Sequence, residues 1–177
     1  HGMAAVSLHL QKLGVEGLAT ANFDDAVAAR RAGVTIPILL YGAQLPSGHV
    51  DVLDQGLTPS VCDRESLQVL AQLGSRRANP VPVHIKVDAG LGRLGVRLDE
   101  AAAFAHEVLQ QPGLLLEGIY THIPFSDDQT GAWSQRRLAA FTSLVREIQT
   151  SHGIVIPYAQ GAASSVMSQN FPDELNT

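Results

Sequence analysis

Apolar positions recur along the chain in two alternating periods. Met3, Val6, Leu10 and Leu13 fall at helical spacing, and Gly14 is placed to cap that helix. Residues 15–20 form a short apolar run that reads as a strand. Asn22 then offers an N-cap three residues before Asp25, and the helix it starts runs to Arg31 before Gly33 ends it. The unit repeats: a strand over 36–41, a helix from about Ser47, a strand near 57–61, a helix after Asp63 with Leu67, Leu70 and Leu73 on one side, and a strand over Val81–Asp88. Beyond a glycine-rich turn come a helix from Asp99, with Ala101, Phe104, Ala105 and Val108 on its inner face, and a strand over 114–121. Leu138, Phe141, Val145 and Ile148 mark the last full helix, with Arg136, Arg137, Arg146 and Glu147 on its other faces. A final strand is expected over 154–158, leading into a turn at 160–165.

Six strands alternating with helices, with no linker between them, predict an α/β fold with a parallel sheet buried on both faces. An open doubly wound sheet and part of a (β/α)8 barrel both fit. In either, chemistry sits at the carboxyl ends of the strands, here Thr20, Tyr41, Cys62, Asp88, His122 and Gln160. The 177 residues make one domain, but a closed eight-stranded barrel typically takes about 250 residues.

With 12 basic and 17 acidic side chains the net charge is −5, and the basic residues cluster only as pairs, which speaks against nucleic acid as a partner. Cys62 is the single cysteine, so no intrachain disulfide forms, in keeping with a reducing compartment. No apolar run approaches the roughly 18 residues of a membrane span, and the first residues carry no signal-peptide pattern.

In the strand Val81–Asp88, Val83, Ile85 and Val87 share one face, and His84, Lys86 and Asp88 the other. A sheet covered on both sides puts those three ionisable groups inside, where an unpaired lysine loses its proton, pairs with an anion or is modified. A Lys86–Asp88 pair at the rim is the plainer alternative. Next comes Gly90-Leu91-Gly92-Arg93-Leu94-Gly95, whose glycines could bring backbone N–H groups to a phosphate, with Arg93 a fixed cation at the mouth. Thr121-His122 ends the following strand, before the acidic turn Ser126-Asp127-Asp128. Metal binding by His84, Asp88 and His122 is conceivable, but no metal-ligand spacing supports it, and none is expected. Cys62 reads as a packed small residue. Gly161-Ala162-Ala163-Ser164-Ser165 suits either an anion site or a capped helix start.

Taken together these segments resemble the pyridoxal-phosphate barrel domain of the alanine racemase family, across essentially the whole chain. His1-Gly2 resembles the end of that family's Lys-x-x-x-Tyr-Gly-His-Gly motif. The most specific match is Lys86-Val87-Asp88-Ala89-Gly90-Leu91-Gly92-Arg93-Leu94-Gly95, similar to Lys-x-Asp-Thr-Gly-Met-Gly-Arg-x-Gly, and Leu116–His122 is similar to the strand ending in Thr-His. The resemblance implies a TIM-type barrel, incomplete here at about units two to seven, with residues 1–177 forming part of the cofactor domain and a C-terminal β-domain lying outside them. It also implies pyridoxal 5′-phosphate as cofactor and a small amino acid as substrate. Lys86 would be the lysine that the family often carbamylates, orienting Arg93. Arg93 would bond the cofactor's phenolic oxygen and steer the substrate carboxylate, and His122 would join the hydrogen-bond chain to the pyridine nitrogen. Tyr41 would wall the pocket where the family usually has an aliphatic residue, and Ser164 or Ser165 would hold the phosphate.

The implied reaction removes the α-proton and returns it on the opposite face, most simply interconverting L- and D-alanine. The family's two bases, the cofactor-bearing lysine and a tyrosine of a partner subunit, are not among these residues, whose only lysines are Lys12 and Lys86. On this resemblance the segment alone is expected to be inactive and the full-length protein a homodimer. A non-catalytic cofactor-binding barrel, or another racemase or lyase on the same fold, remains the alternative. The compartment expected is the cytoplasm, with a periplasmic location open.

Overall fold

In the computed structural model, which describes residues 2–123 and 132–162, every strand but one lies on a single curved parallel path. Helix α1 (Met3–Lys12) ends at Gly14, whose φ of +84° is the left-handed turn expected there. Strand β1 (Leu18–Thr20) leads to α2 (Phe23–Arg31), capped by Asn22 Oδ1 accepting the Asp25 N–H at 3.2 Å. Strand β2 (Ile38–Leu40) follows, and then a 3-10 turn (Pro46–Gly48) stands where the helix was expected to begin, so that α3 runs only from His49 to Asp54. After β3 (Thr58–Val61), α4 (Arg64–Gly74) is capped by Asp63. The long strands β4 (Val81–Asp88) and β6 (Leu114–His122) flank α5 (Ala101–Leu109), with the two-residue strand β5 (Val96–Arg97) folded back onto β4. Helix α6 (Ala132–His152) and β7 (Tyr158–Ala162) complete the described chain.

The strand order is β1-β2-β3-β4-β6-β7, all pairs parallel. Because the strands follow one another along this path with no reversal of order, the sheet is half of a barrel and not an open doubly wound sheet. The predicted alternation in β4 decides which face is which. Val83, Ile85 and Val87 are fully buried in the main core with Phe104, Phe141, Val145 and Ile148, under the helices. His84 and Lys86 point the other way, into the barrel. A smaller core joins Ala26, Ala29, Ile38, Leu40 and Val52.

Two expectations are corrected: the place of the last strand, and the count of six strands, to which β5 adds a seventh among the described residues. The last strand is not at 154–158 but begins at Tyr158. Gly153, at φ +62°, turns the chain out of α6, and the N–H groups of Ile154 and Ile156 go to the backbone oxygen and side-chain Oε1 of Gln149. The apolar run therefore caps a helix, and Val155 stands 83% exposed. Its pattern mimics a strand because a helix C-cap and a strand both place apolar residues in an extended chain. The two-residue β5 carries too short a pattern to be predicted.

Candidate functional site

The strand register stacks the inward side chains in layers. Lys86 on β4 pairs with Tyr120 on β6, and Tyr120 with Gln160 on β7. One layer down lie His84, Gly118 and Tyr158, and one layer up His122. Above the Lys86 layer, at the carboxyl ends of the strands, opens a cavity of about 690 Å³ lined by Ala19, Ala21, Leu39, Tyr41, Lys86, Arg93, Leu94, Tyr120, Thr121, His122 and Gln160. The structure thus brings together four of the six residues that the resemblance assigns to the site: Tyr41, Lys86, Arg93 and His122. Ser164 and Ser165 lie outside the described residues, as do His1 and the Ser126-Asp127-Asp128 turn.

No carboxylate lines this cavity among the described residues. Its nitrogens set the electrostatics. Lys86 is 6% exposed; its ammonium donates to the Val87 carbonyl at 2.9 Å and stands 5.3 Å from the centre of the Tyr120 ring. Burial, partly countered by Asp88 and reinforced by Arg93, pushes its pKa down to about 8. The half-buried His122 imidazole is also held below its ordinary value, first by burial and then by the charges of Arg93 and Lys86. Arg93 itself is exposed on the glycine turn, its permanent charge set at the mouth.

Tyr120 donates its hydroxyl proton to Ser60 Oγ at 2.8 Å, because Ser60 Oγ donates in turn to the Leu40 carbonyl at 2.9 Å. Burial drives the Tyr120 phenol's pKa up, so it stays protonated and fixed. Sequence reasoning passed over Tyr120 and named Gln160 only as a strand end. The period of two was the available signal: Tyr120 stands two residues before His122 and so shares its face.

Asp88 behaves differently from expectation. It forms no direct ion pair with Lys86; its carboxylate turns to the glycine loop instead. Oδ1 accepts the N–H groups of Gly90 (2.9 Å), Leu91 (2.7 Å) and Gly92 (3.2 Å), and Oδ2 accepts that of Arg93 (3.0 Å). Burial pushes the Asp88 pKa up, but these four donors together outweigh it and leave the carboxyl below its usual range. The loop's N–H groups are already occupied by an internal anion, so the loop is not the open phosphate cradle its glycines suggested. Cys62 lies beside Asp63, and burial together with that carboxylate raises its thiol to about 11, which leaves it protonated and a poor nucleophile. Among the described residues no group of three or more His, Cys, Asp and Glu side chains could hold a metal ion, and no helix is long and apolar enough to cross a membrane.

Residues 1–176 match the family model described as alanine racemase, N-terminal domain. Among curated proteins, the chain is 33% identical over 151 residues to the alanine racemase of Desulfovibrio desulfuricans, covering 85% of this chain and 41% of that one. It is 34% identical over 166 residues to that of Streptococcus equi subsp. equi, covering 94% and 44%. Among solved structures, alanine racemase of Clostridium difficile 630 in complex with cycloserine superposes with a TM-score of 0.86 at 23% identity, over 94% of this chain and 46% of that one. Alanine racemase from E. faecalis gives 0.80 at 25% identity, over 92% and 43%. The chain spans less than half the length of these relatives.

Proposed function

Because the chain belongs to the family of alanine racemase N-terminal domains, we propose that the whole protein is a pyridoxal-phosphate-dependent racemase interconverting L- and D-alanine, with this segment as its cofactor barrel. The observation that carries the reading is the cavity at the strand ends: three nitrogen-bearing side chains, Lys86, Arg93 and His122, with no opposing carboxylate among the described lining residues, between the aromatic walls of Tyr41 and Tyr120. That donor set fits a flat anionic aromatic cofactor and a substrate bearing a carboxylate. When bound, pyridoxal phosphate supplies an electron sink for the pair left behind as the amino acid's α-proton departs.

The chain's own residues then bind and orient. Arg93, always charged, would donate to the substrate carboxylate and to the cofactor's phenolic oxygen through its planar, forked N–H groups. His122, neutral at pH 7 because its pKa is lowered, can donate from one ring nitrogen while accepting at the other, which suits a link in the hydrogen-bond chain to the pyridine nitrogen. Lys86, with a pKa near 8, has an appreciable neutral fraction near pH 7. Its free Nζ can attack carbon dioxide, forming an N–C bond and releasing one proton, which exchanges a cation for an anion facing Arg93. Tyr41, 44% exposed at the cavity mouth, forms a wall there. Ser164 or Ser165 takes the phosphate. The proton-transferring groups come from outside this segment, since Lys12, the other lysine, is exposed on α1. The homodimer, a cytoplasmic location and supply of D-alanine for peptidoglycan precursors complete the proposal.

The test is direct. The whole protein, loaded with pyridoxal phosphate, should convert L-alanine to D-alanine, followed by chiral chromatography, and Arg93→Ala should lose most of that turnover. A whole protein that takes up the cofactor, seen by its visible absorption, but turns over no amino acid would establish the carrier reading instead. The 177-residue segment alone should give no racemisation.

A further inference from the structure

We propose that Asp88 is a positioning residue: its carboxylate fixes the backbone of the glycine turn and thereby holds Arg93 in the cavity wall. The inference rests on the functional reading above only for its effect on turnover. The geometry stands on the strand end itself.

The turn after β4 leaves and returns at one residue. It leaves from Asp88, whose two oxygens hold the N–H groups of Gly90 to Arg93, and it returns as Arg97 pairs with Asp88 in the β4–β5 ladder. Among the described residues few other hydrogen bonds hold it. Gly90, Gly92 and Gly95 all have positive φ, at +126°, +72° and +137°, so three positions of the turn carry no side chain that could pin it. A Cβ on Gly92 would meet nothing within 4 Å, whereas one on Gly95 would stand 2.5 Å from the Asp88 nitrogen. The returning end is therefore pressed against Asp88; in the outgoing part Gly92 is open, while Gly90 lies against the Arg137 side chain, whose Nε would stand 3.0 Å from an added Cβ. Outside that carboxylate, the described hydrogen-bond tether is Ala89 N–H donating to Thr121 Oγ1 at 3.3 Å, at the base of the turn. Arg93 itself is exposed, so where its guanidinium can reach is decided by where Oδ2 holds its N–H.

Asp88→Asn keeps the side-chain volume and Oδ1 but turns an N–H₂ toward the Arg93 N–H, and Asp88→Glu keeps the charge while moving it by one methylene. In the whole protein, each should lower kcat/KM for alanine by about tenfold to a hundredfold, the scale of an ångström-level misplacement of a binding group. Asp88→Asn combined with Arg93→Ala should cost no more than Arg93→Ala alone, because both act through one guanidinium; multiplying losses would overturn the proposal. A second readout is independent of turnover. His122 is held down by burial and by the Arg93 and Lys86 charges. Displacing Arg93 should raise the His122 titration midpoint, followed by NMR of the ring nitrogens, in Asp88→Asn, in Asp88→Glu and in Arg93→Ala. Removing the Asp88 charge with Arg93 still in place would leave that midpoint unchanged or lower it, and this result overturns the proposal. If Arg93→Ala leaves turnover intact while both Asp88 variants still raise the His122 midpoint, the positioning stands and the racemase assignment of Arg93 falls. If Asp88→Asn does not fold, Asp88→Glu carries the same test.

Discussion

The imidazole of His84 occupies the space where a side chain on Gly118 would stand. The two residues are register partners on β4 and β6, and a Cβ added to Gly118 would overlap the ring at Nδ1. The ladder shifts register between Val83 and His84. His84 then reaches Glu117 through Nε2 at 3.2 Å and stacks on Tyr158 with ring centres 5.8 Å apart. Glycine at 118 is what allows a buried histidine to cross the barrel floor at this point.

Gly118→Ala should accordingly destabilise the fold by about 1–3 kcal/mol, the usual cost of forcing atoms into a packed interior. Thermal unfolding of the single variant and of Gly118→Ala with His84→Ala checks it. The double variant should recover part of the loss, because the ring is the obstacle.

Arg30 ties three segments together. Its guanidinium donates to the carbonyls of Val34 (3.0 Å), Ile36 (2.7 Å) and Gly56 (2.8 Å), which joins α2 to the entry of β2 and the end of α3. Lysine offers the charge without the fork, so Arg30→Lys should lose most of this clamp. A destabilisation of about 1.5–3 kcal/mol is expected for hydrogen bonds from a charged donor, read as a lower urea midpoint at unchanged slope.

His49 is fully buried on α3, and neither ring nitrogen has a hydrogen-bond partner among the described residues. Burial lowers its pKa below the ordinary 6.5, with Asp63 opposing in part. Between the folded and unfolded values the unfolded chain binds more protons. Stability should therefore be full above about pH 6.5 and fall as pH drops through the folded value. His49→Leu should remove this part of the acid loss and be neutral or stabilising by about 1 kcal/mol at pH 7, as unfolding measured from pH 7 to pH 5 would reveal.

Lys86 titrates in the opposite range. With a folded pKa of about 8 against 10.5 unfolded, its burial penalises the native state below pH 8, and that penalty disappears as pH rises toward 10.5. Lys86→Met should raise stability at pH 7 by about 2–3 kcal/mol and flatten the rise between pH 8 and 10. Stability that still climbs there in the variant would locate the effect elsewhere.

Much of the fold was legible in the order of residues because it rests on local periodicity. Asn22 and Asp63 cap the helices that follow them, and the alternation of Val83, Ile85 and Val87 with His84 and Lys86 correctly put ionisable groups on one face. What it could not show is which face meets the helices. It also could not show where Asp88 spends its hydrogen bonds, because a carboxylate at a strand end can as well turn inward to a lysine as forward to a loop. Tyr120 escaped, and Gln160 was named only as a strand end, for a related reason: their places beside Lys86 depend on register across three strands.

The sequence by itself determined the alternating parallel architecture and the presence of Lys86, Arg93 and His122 near strand ends, since each follows from spacing along one chain, and its motifs carried the resemblance to the family. Only the tertiary structure decided that these groups with Tyr41 share one cavity free of carboxylates among its described lining residues. It also decided that the glycine turn is closed on Asp88. Both are matters of which polar group satisfies which across the sheet, and that is fixed when strands pair and lose water, not before.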